Sequence, residues 1–192
     1  MNGQFDKDDT RFLINVLDEL REQTDRGVAI IGGSYVENSL ERFLKAVWRS
    51  ESDGADEKKA LPEVFSPSGP LGPFSVKIKI SFLSRLTGRT AFKNLDNIKE
   101  IRNAFAHRLV WDRETTKHER LSFKTASIRD RCKNLLILPH VANAMKDAQP
   151  IHGVPIEQSD ARSRYIIACI QWSLVFNWSP NDPTPLTKRL LG

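Results

Sequence analysis

An all-α fold, a single bundle of six or seven helices, is what this sequence predicts, on three grounds. Apolar residues recur three and four apart through several successive segments, the period of one helix face. The stretch Tyr165 to Phe176 is apolar nearly all round, as a helix running through the centre of a bundle is. The run that alternates with period two, Val76-Lys-Ile-Lys-Ile80, has no partner strand elsewhere in the chain. Phe74 to Leu86 taken whole also keeps a helical period through Ile78, Phe82, Leu83 and Leu86, so helix is the reading.

The first helix is expected to start near Asp9 or Thr10, either of which can cap free amides, and to carry Phe12, Leu13, Val16, Leu17 and Leu20 on one face. After Asp25-Arg26-Gly27, a second long helix is expected from Val28 to about Arg49, with Ile31, Tyr35, Val36, Leu40, Phe43, Leu44 and Val47 in phase. Gly32-Gly33 lies inside it. Each glycine costs a helix about 1 kcal/mol relative to alanine, so the pair points to close approach of a neighbouring backbone. Ser50 to Leu71, with its charged run and Pro62, Pro67 and Pro70, reads as an exposed loop. Gly72-Pro73 suits a helix start with proline as the first helical residue.

A further helix is expected from about Asn94 to Arg108, burying Leu95, Ile98, Ile101 and Phe105, and a charged loop through Trp111 and His118 then leads to Ser122. Thr125, Ile128, Cys132 and Leu135 trace the buried side of a shorter helix, limited by Pro139. A Pro- and Gly-rich segment from Gln149 to Pro155 precedes the last helix, roughly Asp160 to Phe176. The domain is expected to span residues 1–178, with an irregular tail over 179–192 that carries Pro180, Pro183 and Pro185. There is no internal repeat and no low-complexity tract.

Bulk properties narrow the function classes. The 192 residues suffice for one core, and the net charge of +5, from 29 basic against 24 acidic side chains, permits contact with nucleic acid without predicting it. Cys132 and Cys169 lie in apolar helical contexts with no metal-ligand spacing, which points to buried thiols in a reducing compartment, the cytoplasm. The N-terminus lacks a secretory pattern. Tyr165 to Phe176 is interrupted by Gln171 and Ser173 and is shorter than the roughly 18 residues of a spanning helix, so no membrane segment is expected. Gly-x-Gly-x-x-Gly and Gly-Lys-Ser/Thr are both missing from the sequence, which removes the common nucleotide-binding signatures, and no cofactor is expected. His118, His140 and His152 have no spaced carboxylate or cysteine, so no metal site is expected. Ser81 and Ser84 lack a nucleophile turn and read as ordinary helical serines.

The segment most suggestive of chemistry is Ile98-Lys-Glu-Ile-Arg-Asn-Ala-Phe-Ala-His-Arg-Leu109. Within about one and a half helical turns it holds Arg102, Asn103 and His107, the last two sharing a face. Arginine offers a planar, permanently charged fork to phosphate oxygens, and histidine exchanges its proton near neutral pH. Two structural alternatives stand beside this: Arg102 pairing with a carboxylate, and His107 simply favoured by the dipole at a helix C-terminus.

Taken in order, these pieces resemble the MltR family, named for the mannitol operon repressor. The resemblance is carried by Gly69-Pro-Leu-Gly-Pro-Phe-Ser-Val-Lys-Ile-Lys-Ile-Ser-Phe-Leu83, running on to Leu86. Asp25-Arg26-Gly27, the Arg102/His107 helix and the late apolar helix support it, and it covers about Asp9 to Trp178. It implies an all-α, cytoplasmic regulatory protein. No helix pair with a basic recognition helix stands out, and Lys77, Lys79, Arg85, Arg89 and Lys93 form only a loose basic stretch. Repression through a protein partner is therefore expected in place of direct DNA reading.

Arg102, four intervening residues and His107, with Asn103 directly after the arginine, also resembles the signature of HEPN domains, many of which are metal-independent endoribonucleases. That resemblance implies His107 as general acid or base, Arg102 as stabiliser of the charged phosphorane and Asn103 as orienting group, on an RNA substrate. It also implies that two copies of the motif meet in a homodimer.

Overall fold

Seven helices and no strand make up the described residues of the computed structural model, which are 7–51, 54–107, 121–138 and 160–178. They are α1 (Lys7–Arg21), α2 (Asp25–Glu51), α3 (Ala55–Val64), α4 (Phe74–Leu83), α5 (Arg89–His107), α6 (Ala126–Lys133) and α7 (Ala161–Trp178). The all-α expectation holds. The expected loops through Trp111 and His118 and from Gln149 to Pro155, His140, His152 and the tail 179–192 lie outside the described residues.

α7 is the axis of the bundle. Every residue from Tyr165 to Phe176 is buried, and α1, α2, α5 and α6 all pack against it, α2 most extensively. Asp160 starts it, accepting the Ser163 amide at 2.9 Å. α2 buries Val28, Ala29, Val36, Leu40, Phe43, Leu44 and Val47, and α5 buries Leu95, Ile98, Ile101 and Phe105, the residues their apolar periods select. α2 begins three residues before the expected Val28 because Thr24 accepts the Gly27 amide at 3.2 Å, which places Asp25-Arg26-Gly27 inside the first turn. α5 begins at Arg89, five residues before the expected Asn94.

Ser50 to Leu71 corrects the expectation of an exposed loop. It contains α3 and buries Leu61, Phe65 and Leu71, with Phe65 against Trp48 at 5.5 Å between ring centroids. The charged run and Pro62 hid the helix, because a proline argues against a helix interior, yet Pro62 stands in the last turn, where it leaves most of the helix undisturbed. The Gly69-Pro-Leu-Gly72 run is a tight backbone turn: the amide of Gly69 donates to Ser66, that of Leu71 to Val64 and that of Gly72 to Gly69. A Cβ on Gly69 would lie 2.3 Å from the Glu63 carbonyl oxygen, so glycine is required there for space.

Pro73 is the cap of α4 and not its first residue. The helix then ends at Leu83, short of the expected Leu86. The Arg85 amide donates to Phe82 O and the Leu86 amide to Ser81 O, both at 3.0 Å, the paired bonds of a Schellman cap. Arg85 occupies the left-handed position at φ 58, where glycine is usual and a side chain costs about 1–2 kcal/mol.

Polar clasps tie the helices together. Arg162 pairs with Asp25 at 2.6 Å and donates to the carbonyls of Leu20, Arg21 and Gln23, closing the end of α1 onto α7. Asn94 accepts the Leu136 amide at 2.8 Å, and Gln171 accepts that of Leu138 at 2.7 Å, which pins the extended segment after α6.

Candidate functional site

On α5 Asn94 is buried with Leu95, Ile98 and Ile101, while Arg102, Asn103 and His107, the three that the sequence grouped, differ in their surroundings. Arg102 turns to α2, where its Nη1 meets Glu37 Oε2 at 2.5 Å, and its guanidinium lies 5.9 Å from the Phe74 ring centroid of α4. Asn103 is half-buried. His107 is exposed and is the last residue of α5. At that same helix end, Arg26 from the first turn of α2 donates to the Ala106 carbonyl at 3.3 Å. Among the described residues no hydrogen bond or ion pair joins Arg102 to Asn103 or His107. The carboxylate-pairing alternative for Arg102 is the arrangement observed.

Gly33 makes this arrangement possible. A Cβ there would lie 2.8 Å from Arg102 Cδ and 3.0 Å from its Cβ, so only glycine lets the arginine stem cross α2. Gly32 faces Cys169 Sγ and the Tyr165 ring. The expected close approach at this glycine pair is real, but side chains of α5 and α7 make it, and not a neighbouring backbone.

Glu37 links Arg102 to a longer ladder of alternating charge. Its other oxygen accepts Lys77 Nζ at 2.9 Å; Lys77 also pairs with Glu41 at 2.8 Å, and Glu41 with Lys45 at 2.6 Å. Lys77 is 3% exposed. Burial alone would raise the Glu41 carboxyl, but hydrogen bonds from Lys45 and Lys77 outweigh it and hold the group below its ordinary value. The far end rests on an aromatic face, with Lys45 Nζ 5.1 Å from the Phe65 ring centroid. Removing one member of such a ladder strands a charge with little water around it, which is strongly destabilising. The ladder joins α2, α4 and α5, and any incoming phosphate would have to compete with Glu37 for Arg102.

Sequence reasoning missed Glu37, Glu41 and the inward turn of Lys77. The signal was present in the spacing of Glu37, Glu41 and Lys45, which stand four apart on α2, and in a lysine set within the apolar run of α4. The buried thiols are as expected: Cys132 and Cys169 are free and buried, and desolvation lifts the Cys132 thiol to about 12. Among the described residues no cluster of His, Cys, Asp and Glu is suited to a metal ion, and no helix is long and apolar enough to cross a membrane.

No family model matches the chain, and no curated protein matches it. A solved structure does: the X-ray structure of the MtlR–HPr complex from Escherichia coli is similar with a TM-score of 0.60 and 18% sequence identity, over 85% of this chain and 96% of that one. At that identity the likeness is one of fold. It agrees with an MltR-like architecture and adds nothing to the HEPN resemblance.

Proposed function

We propose that this chain is an MltR-like cytoplasmic regulatory protein that acts by binding a protein partner, without catalysis and without reading DNA directly. The observation that carries this reading is its likeness in fold, over most of both chains, to the structure of the MtlR–HPr complex, an assembly of two different proteins. The engagement of Arg102 by Glu37 supports it, because the most suggestive cation of the sequence is occupied within the bundle. Cross-linking the purified chain in its own cytoplasm, then reconstituting the captured protein in pure form, tests the reading. A specific partner that binds the pure chain is the expected result. No specific partner, together with tight sequence-specific DNA binding by the pure chain, overturns it.

A second reading, a metal-independent endoribonuclease or an inactive RNA-binding relative, rests on one observation: His107 is exposed and Asn103 lies one turn before it on α5. It requires Arg102 to leave Glu37 for the phosphate, and a homodimer to bring two copies of the Asn103/His107 face together. Labelled RNA incubated with the pure chain in chelator separates the readings. A 2′,3′-cyclic phosphate product that is lost in His107→Ala would replace the partner-binding reading. Sedimentation as a monomer at micromolar concentration, with and without phosphate, removes the dimer and its composite site.

A further inference from the structure

From Val64 to Leu95 the chain carries five basic residues and no acidic one. α4 sorts them. Lys77 and Lys79 stand about 200° apart round the helix, so when Lys77 enters the carboxylate ladder Lys79 faces solvent. Arg85, Arg89 and Lys93 come next, at the corner between α4 and α5, and are also exposed. None of these four exposed cations makes an ion pair among the described residues.

At the same corner Leu83, the last residue of α4, is 73% exposed. Lys79 and Leu83 share a helix face, as do Arg89 and Lys93. Phe82 on Phe92, 4.7 Å between ring centroids, holds the two helices together between them. Four free cations and one bare apolar side chain thus gather within two turns of one corner. Arg85 adds an independent observation. Its φ of 58 is a position where glycine would be the more stable residue, and strained residues of this kind concentrate where a protein meets a ligand.

We propose that the α4–α5 corner is a docking surface for an acidic protein segment that brings an apolar side chain onto Leu83, with Lys79, Arg85, Arg89 and Lys93 as its cationic rim. This rests on the partner-binding reading and gives it a location. Leu83 decides between protein and nucleic acid. A phosphate backbone engages the cations and leaves the leucine in water, whereas a protein segment removes it from water at the centre of the contact. The rim then steers the encounter and suppresses basic partners.

The test uses the full chain and a labelled peptide of alternating glutamate and leucine, with a control peptide in which serine replaces leucine and a random-sequence DNA duplex as competitor. The expected result is saturable binding of the leucine peptide at low salt, with amide chemical-shift changes confined to residues 79–93. The serine peptide should bind about tenfold more weakly, and Leu83→Ser should lose the same factor toward the leucine peptide. Arg85→Gly should bind several-fold more weakly while melting about 2–4 °C higher, a pairing that a merely structural arginine does not produce. Absence of saturable binding up to millimolar peptide, shifts mapped elsewhere, or binding indifferent to Leu83→Ser overturns the proposal. Preference for the duplex, lost in Arg89→Glu but not in Leu83→Ser, makes the corner a nucleic-acid surface instead. A physiological partner whose binding ignores Leu83→Ser and Arg85→Gly removes the corner and leaves the partner-binding reading standing.

Discussion

Glycine 33 shows how a single missing side chain sets the electrostatics of this bundle. Alanine would be the better helix former by about 1 kcal/mol. Its methyl group, however, would press on the Cβ and Cδ of Arg102, and the arginine stem is rooted in a packed helix and cannot simply swing aside. Gly33→Ala is therefore expected to destabilise the chain by about 1–2 kcal/mol despite the gain in helix propensity, because overpacking outweighs it. Chemical denaturation measures this, and a stability gain would show that α2 and α5 do not meet so closely. The two tyrosines titrate as a pair of reporters. A hydrogen bond to Glu19 lifts Tyr35 to about 12, and burial lifts Tyr165 well above its ordinary value. Both folded values exceed the unfolded one, so their contribution to stability is complete below pH 10 and is lost as pH rises beyond it. Ultraviolet titration should show almost no tyrosinate near pH 10 in the folded chain, and both tyrosines about half ionised at that pH in denaturant.

Helix ends, more than helix interiors, separate expectation from observation. Thr24 caps α2 through the Gly27 amide, and Thr24→Ala is expected to cost about 1 kcal/mol in chemical denaturation. No change would mean that solvent serves that amide equally well. α3 was illegible because its apolar residues Leu61 and Val64 fall beside a proline and after a run of charges, and its end is held from outside, by Trp48 on the following Phe65 and by the Leu71 amide on the Val64 carbonyl. α4 was legible despite the alternation of Val76 to Ile80. A strand there would need a partner for its amides, while a helix satisfies them within the segment.

Across the bundle as a whole, α7 is the member that α1, α2, α5 and α6 share. It has no polar face, so its position at the centre follows from the cost of leaving any side of it in water. Ile170 is fully buried there. Ile170→Asp is expected to abolish cooperative folding, because an unpaired carboxylate at the centre of the bundle costs more than about 4 kcal/mol. Circular dichroism on heating tests this, and a retained cooperative transition would place α7 nearer the surface. The ladder from Arg102 to Lys45 acts across three helices, and because Glu41 is held below its ordinary value, its stabilisation is present at neutral pH and lost as pH falls through the carboxylate range.

Residue order and type were enough for the helical class, the central helix, the apolar faces of α2 and α5 and the burial of both thiols, because each arises from local periodicity or from the cost of exposing apolar surface. The candidate site was legible only as a set of residue types. Its outcome was decided by which charges meet across helices: Glu37 lies 65 residues from Arg102 and 40 from Lys77 in the chain, and no spacing rule connects such positions. Tertiary packing alone turned Lys77 inward and engaged Arg102. It also left Lys79, Leu83, Arg85, Arg89 and Lys93 facing outward, since a helix fixes the angle between its side chains but not which side its neighbours cover.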